Sequence, residues 1–86
     1  KGKIINIHPS LLPKYKGLNT HKKVLENKEK FTGCTVHYVN SKLDSGKIIL
    51  QRKVQIKKTD SVKTLSAKVL SQEHKLYPAA INKIFN

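Results

Sequence analysis

Eighty-six residues at 9.8 kDa make one small domain over residues 1–86, a length that buries only about 60% of the surface its unfolded chain exposes. Hydrophobic residues at 37% and charged residues at 27% exclude a disordered tail, and no apolar run approaches the roughly 18 residues of a membrane span. Seventeen lysines and one arginine against five acids give +13, yet the cations are spread along the chain with only Arg52 suited to reading guanine. The reading is therefore a lysine-rich surface with nonspecific anion attraction, and no specific nucleic acid or membrane partner. The single cysteine, Cys34, has no internal partner, and no signal-peptide pattern is present, so a cytoplasmic location is expected. With no methionine present, Lys1 reads as a cut edge.

In chain order, Lys3 to His8 is a β-rich run stopped by Pro9. Its Ile-Ile-x-Ile content predicts a strand buried on both faces, as in a parallel sheet. Pro9 to Gly17 is an irregular loop. Asn19-Thr20 is set to cap a helix over about His21 to Asn27. Thr32 to Val39 and Lys47 to Ile56 read as the two strands of a hairpin joined by the turn-rich stretch Asn40 to Gly46. Asp60 or Ser61 opens a final helical pattern carried by Val62, Leu65, Val69, Leu76, Ile81 and Ile84. Pro78 lies inside it and predicts a kink or break. The fold class is α/β, with about three strands and flanking helices.

Asn6 and His8 are two apart on a strand, so both side chains leave one face at its carboxyl end, where ligands of open sheets sit. An amide beside an imidazole suits a developing oxyanion and a moving proton. The plain alternative is a strand end with a structurally satisfied histidine. Asp44 is either a turn former or an acid that charges a nearby imidazole, and His37 leads into its loop. Spacing by itself names no reaction.

The run Ile5-Asn6-Ile7-His8-Pro9-Ser10-Leu11-Leu12-Pro13-Lys14-Tyr15-Lys16-Gly17-Leu18 resembles the signature of folate-dependent formyltransferases. Within that group, Thr20-His21, Val36 to Val39, Leu43-Asp44-Ser45-Gly46, Ile49-Leu50-Gln51 and Gln72 to Pro78 resemble the phosphoribosylglycinamide formyltransferase family, in family order. Pro9 separates it from the methionyl-tRNA branch, where glycine is expected. Pro9-Ser10-Leu11 separates it from the formyltetrahydrofolate hydrolases, where Ser-Phe follows the histidine. The resemblance implies formyl transfer from 10-formyltetrahydrofolate to the amine of glycinamide ribonucleotide in purine synthesis, with no metal. It implies Asn6, His8 and Asp44 as catalytic residues, with Thr35 and His37 supporting Asp44. Tyr38, Val39, Asn40, Ser41, Lys42, Leu43 and Asp44 would wrap the folate, and Glu73 would contact the ribonucleotide.

The resemblance covers only the carboxyl-terminal part of that family's length. Its doubly wound amino-terminal half has no counterpart here, nor does the glycine-rich phosphate loop, and Leu70 stands where a polar residue would help hold phosphate. Activity of these 86 residues by themselves is therefore expected to be very weak. The alternative is a non-catalytic remnant acting as a binding or self-association module. An unpaired edge at Lys3 to His8 would favour a twofold homodimer burying Ile4, Ile5 and Ile7.

Overall fold

The computed structural model describes residues 4–39 and 46–85. In order these form β1 (Ile5–His8), α1 (Thr20–Glu26), β2 (Phe31–Tyr38), β3 (Ile48–Gln55) and α2 (Val62–Phe85). The sheet order is β1-β2-β3 and both pairings are antiparallel. The α/β class and the hairpin agree with the sequence reading; the parallel, doubly buried first strand does not. Asn6 is exposed, Ile5 and Ile7 are half-buried, and Ile4 is 70% exposed. The element buried on both faces is β2, from Thr32 through His37.

Two layers cover β2. On one face α2 lays Leu65, Val69, Leu76 and Ala80 against Cys34, Val36 and Val54. Completely burying one such Leu or Val is worth about 1.5–3 kcal/mol. On the other face lies the loop from Pro9 to Gly17. A Cβ at Gly33 would come within 2.1 Å of the Arg52 carbonyl oxygen and 2.7 Å of Leu11 Cδ2, so the close backbone of β3 demands glycine here and the loop packs onto the bare strand. The Thr35 hydroxyl donates to Ser10 O at 2.7 Å and accepts from the Leu12 N–H at 3.2 Å. Gln51 Nε2, opposite Thr35 in the ladder, donates to Leu12 O at 2.8 Å and to Thr35 Oγ1 at 3.0 Å.

The start of α1 differs in mechanism from the expected cap, whereas α2 opens at Ser61 as expected. Asn19 flanks α1 with φ 61° and makes no side-chain cap, while Thr20 is already helical and donates its hydroxyl to Pro9 O. At α2 the Ser61 N–H donates to Thr64 Oγ1 at 2.8 Å and the Thr64 N–H to Ser61 Oγ at 3.2 Å, a reciprocal cap. The helix then runs 24 residues through Pro78, so of the expected kink or break the break does not occur. Pro78 leaves the His74 carbonyl without its helical donor, but both residues lie on the exposed side of the helix. Leu76 and Ala80, both buried, hold the turns on either side.

Candidate active site

The ladder sets Asn6 opposite His37 and His8 opposite Thr35. Directly paired residues share a face, so four of the residues singled out in the sequence stand together on the side of the sheet away from α2. His8, Thr35 and His37 are buried, whereas Asn6 is exposed at the open edge.

His8 is oriented by the loop that follows it. Its Nε2 lies 2.8 Å from Tyr15 O. A carbonyl only accepts, so Nε2 carries the hydrogen. The Ser10 hydroxyl donates to the carbonyls of Lys14 and Tyr15. Tyr15 itself has φ 56°, a left-handed conformation that costs a bulky residue about 1–3 kcal/mol. Its side chain is held as well: the hydroxyl donates to Glu29 Oε2 at 2.7 Å and accepts from Asn27 Nδ2 at 3.0 Å. Foremost through that Glu29 bond, the phenol is pushed above its ordinary pKa. A strained backbone pinned at both ends thus presents one carbonyl to the imidazole.

Beside His8 is a cavity of about 350 Å³ that also involves Asn19, Thr20 and His21. The His21 Nδ1 is buried with no hydrogen-bond partner in the described structure. Burial, and secondarily the nearby His8 charge, lowers its pKa, which favours the neutral imidazole. His37 Nδ1 donates to Tyr38 O at 3.0 Å.

Tyr38 is half-buried and Val39 exposed at the end of β2. A Cβ at Gly46 would collide with the Tyr38 carbonyl oxygen, so a bare glycine backbone is required where the chain returns to β3. Asn40, Ser41, Lys42, Leu43 and Asp44 lie outside the described residues. The expected support of Asp44 by Thr35 and His37 falls there too. Thr35 does make the contacts that fasten the loop to the sheet.

Glu73 stands apart, on α2, in a cleft of about 380 Å³ shared with Ile7, Leu70, His74, Tyr77 and Pro78. Ile7 leaves β1 on the face opposite to Asn6 and His8. Burial raises the Glu73 pKa, opposed by the nearby His74 and His8. Among the described residues no cluster of three His, Cys, Asp or Glu has metal-binding geometry, and no helix is long and apolar enough to cross a membrane.

Sequence reasoning assigned no role to Ser10, Tyr15, His21 or Gln51. Their contacts join positions up to 39 residues apart, and only the folded register brings them together. No local spacing signals such contacts; the family motif marks the residues without saying what they touch.

Residues 1–81 match the formyl transferase family. The chain is 52% identical over 84 residues to the trifunctional purine biosynthetic protein adenosine-3 of Gallus gallus, covering 98% of this chain and 8% of that protein. It is 49% identical over 81 residues to the phosphoribosylglycinamide formyltransferase of Escherichia coli K12, covering 94% of this chain and 38% of that enzyme. The crystal structure of phosphoribosylglycinamide formyltransferase from Bacillus halodurans superposes with a TM-score of 0.92 at 43% identity, over 96% of this chain and 43% of that one. The chain therefore spans less than half the length of each of these relatives.

Proposed function

This chain belongs to the formyl transferase family, and from that membership we propose that it carries the catalytic part of a phosphoribosylglycinamide formyltransferase. The substrates would be 10-formyltetrahydrofolate and glycinamide ribonucleotide, and the pathway purine synthesis. The observation that carries the reading is the gathering of Asn6, His8, Thr35 and His37 on one sheet face.

In the proposed reaction the ribonucleotide amine attacks the formyl carbon, and the carbonyl oxygen gains negative charge. Asn6 and protonated His8 stabilise that oxygen. Collapse breaks the bond between the formyl carbon and N10 of the folate. The proton lost by the amine is delivered to N10, so the formamide and the free folate amine form together. Asp44 is assigned to keep His8 charged and to relay that proton through water. With Nε2–H held by Tyr15 O, the ring is fixed in orientation. Residues 38 to 44 would enclose the folate and Glu73 would meet the ribonucleotide. No metal enters this scheme, and a cytoplasmic location fits it.

The test is formyl transfer with both substrates. His8→Asn and Asp44→Asn are each expected to lower turnover by about 10²–10⁴-fold. If both variants matched the parent chain, the assignment would be wrong. The 86 residues by themselves are expected to be slow, since positioning two substrates can be worth about 7–11 kcal/mol and these residues include no glycine-rich phosphate loop. Saturable folate binding with no transfer in a single turnover would favour the second reading, a non-catalytic binding module.

A further inference from the structure

At the other end of the sheet from His8 is a cavity of about 720 Å³, roughly twice the one beside the imidazole. It opens where Phe31 pairs with Gln55. Phe31 is four positions before Thr35, the partner of His8, which is about 13 Å along a strand. The floor is apolar: Leu25 and Ile56 are half-buried against the core, and Phe31 is 47% exposed. The rim is basic, with Lys28, Lys30, Lys57 and Lys58 around it.

We propose that this cavity binds a small amphiphilic anion, an aryl or medium-chain carboxylate, with its apolar body on Leu25, Phe31 and Ile56 and its acid group among the four lysines. The volume lies within the range of small-molecule sites, about 300–1,000 Å³. Charge complementarity selects the anion, because the two acids lining the cavity are already committed. Glu29 accepts from the Tyr15 hydroxyl and pairs with Lys14 at 3.9 Å. Asp60 accepts from the Lys57 N–H, the Thr64 hydroxyl and Lys68 Nζ. Among the described residues none of the four rim lysines has an ion pair.

The rim is also pre-formed. The Lys28 N–H donates to Leu25 O and the Glu29 N–H to Val24 O, closing the end of α1. The Ile56 N–H donates to Lys30 O and the Asp60 N–H to Lys57 O, fixing the opposite wall. A ligand then meets a backbone that needs little ordering, which removes part of the cost of binding. The Phe31 ring also has the Lys53 Nζ 4.8 Å from its centre.

The experiment is an amide proton–nitrogen NMR titration of the 86-residue chain with naphthoate, with neutral naphthylmethanol, and with acetate. Naphthoate is expected to shift the Phe31, Ile56 and Lys58 amides saturably. At equal concentration the alcohol and acetate, each lacking one half of the recognition, leave them in place. The Lys30→Glu/Lys58→Glu variant, altered only on the surface, is expected to bind naphthoate about tenfold more weakly. Shifts confined to the Ile7–Tyr77 cleft, equal binding of the alcohol, or undiminished affinity in the variant would each overturn the proposal. Tighter binding of an acidic aromatic peptide at the same amides would replace the small ligand with a protein partner.

Discussion

Thr35 shows how much one hydroxyl can organise. Buried in β2, it donates to Ser10 O and accepts from the Leu12 N–H and Gln51 Nε2. Thr35→Val keeps the shape and strands the buried Ser10 O and Leu12 N–H away from water, while the exposed Gln51 amide can turn to solvent. Leaving a buried polar group unsatisfied costs about 1–3 kcal/mol. Chemical denaturation should show a loss of that order, and the His8 imidazole resonances should shift as the loop that orients the ring loosens. An unchanged midpoint would mean that the loop is held without Thr35. Cys34, one residue earlier, points to the opposite face and has no exposed surface. Burial, aided by Glu73 and opposed by Arg52, pushes its thiol up to about 11, so it is protonated at neutral pH. Alkylating reagents should therefore label it only when the chain unfolds. Rapid labelling of the native chain would contradict the packing described here.

Elements were legible where side-chain period and turn chemistry agreed. The spacing from Leu65 to Ile84 gave α2, and two β-branched runs about a polar stretch gave β2 and β3. Neighbouring strands of β1 were not legible, because Ile-Ile-x-Ile is equally compatible with parallel and antiparallel partners. Sharing a face with His37 and Thr35 is a property of register, which Asn6 and His8 do not encode by their own spacing. Pro78 does not break α2: the proline rule describes hydrogen bonds and omits which side of the helix faces water. The acid at the head of α2 carries a pH signature. The Lys57 backbone N–H first, then Lys68 and Thr64, lower the Asp60 pKa to about 2. A carboxylate whose folded pKa is depressed adds stability above its unfolded value, near 4, and loses it as pH falls through the folded value. Stability should thus decline between about pH 4 and the folded value of about 2, and Asp60→Asn should flatten that limb. Equal acid limbs in the two proteins would remove Asp60 from the account.

The whole molecule is a slab of 44 × 25 × 16 Å carrying +13 charges. Among the described strands β1 lies at one edge, and the cleft between it and α2 exposes Leu70 and Tyr77 at 49% and 40%. We expect two copies to pair there about a twofold axis, joining β1 edges and covering this strip. The gain is smaller than three fully exposed isoleucines would give, because Ile5 and Ile7 already pack on the core. Association must also meet an ordering cost of about 4–15 kcal/mol and repulsion between two cations of +13. Apolar contact and charge repulsion respond oppositely to salt, and that decides the direction. Raising ionic strength from about 0.1 M to 1 M shortens the screening length from about 10 Å to 3 Å, leaving the buried contacts intact. Sedimentation equilibrium should therefore find monomer favoured at low salt and dimer growing as salt rises. Tyr77→Glu, on an exposed helix position, should abolish the salt-driven dimer while leaving the circular dichroism spectrum unchanged. A monomer at every salt concentration, or a dimer indifferent to Tyr77→Glu, would remove this edge as the interface.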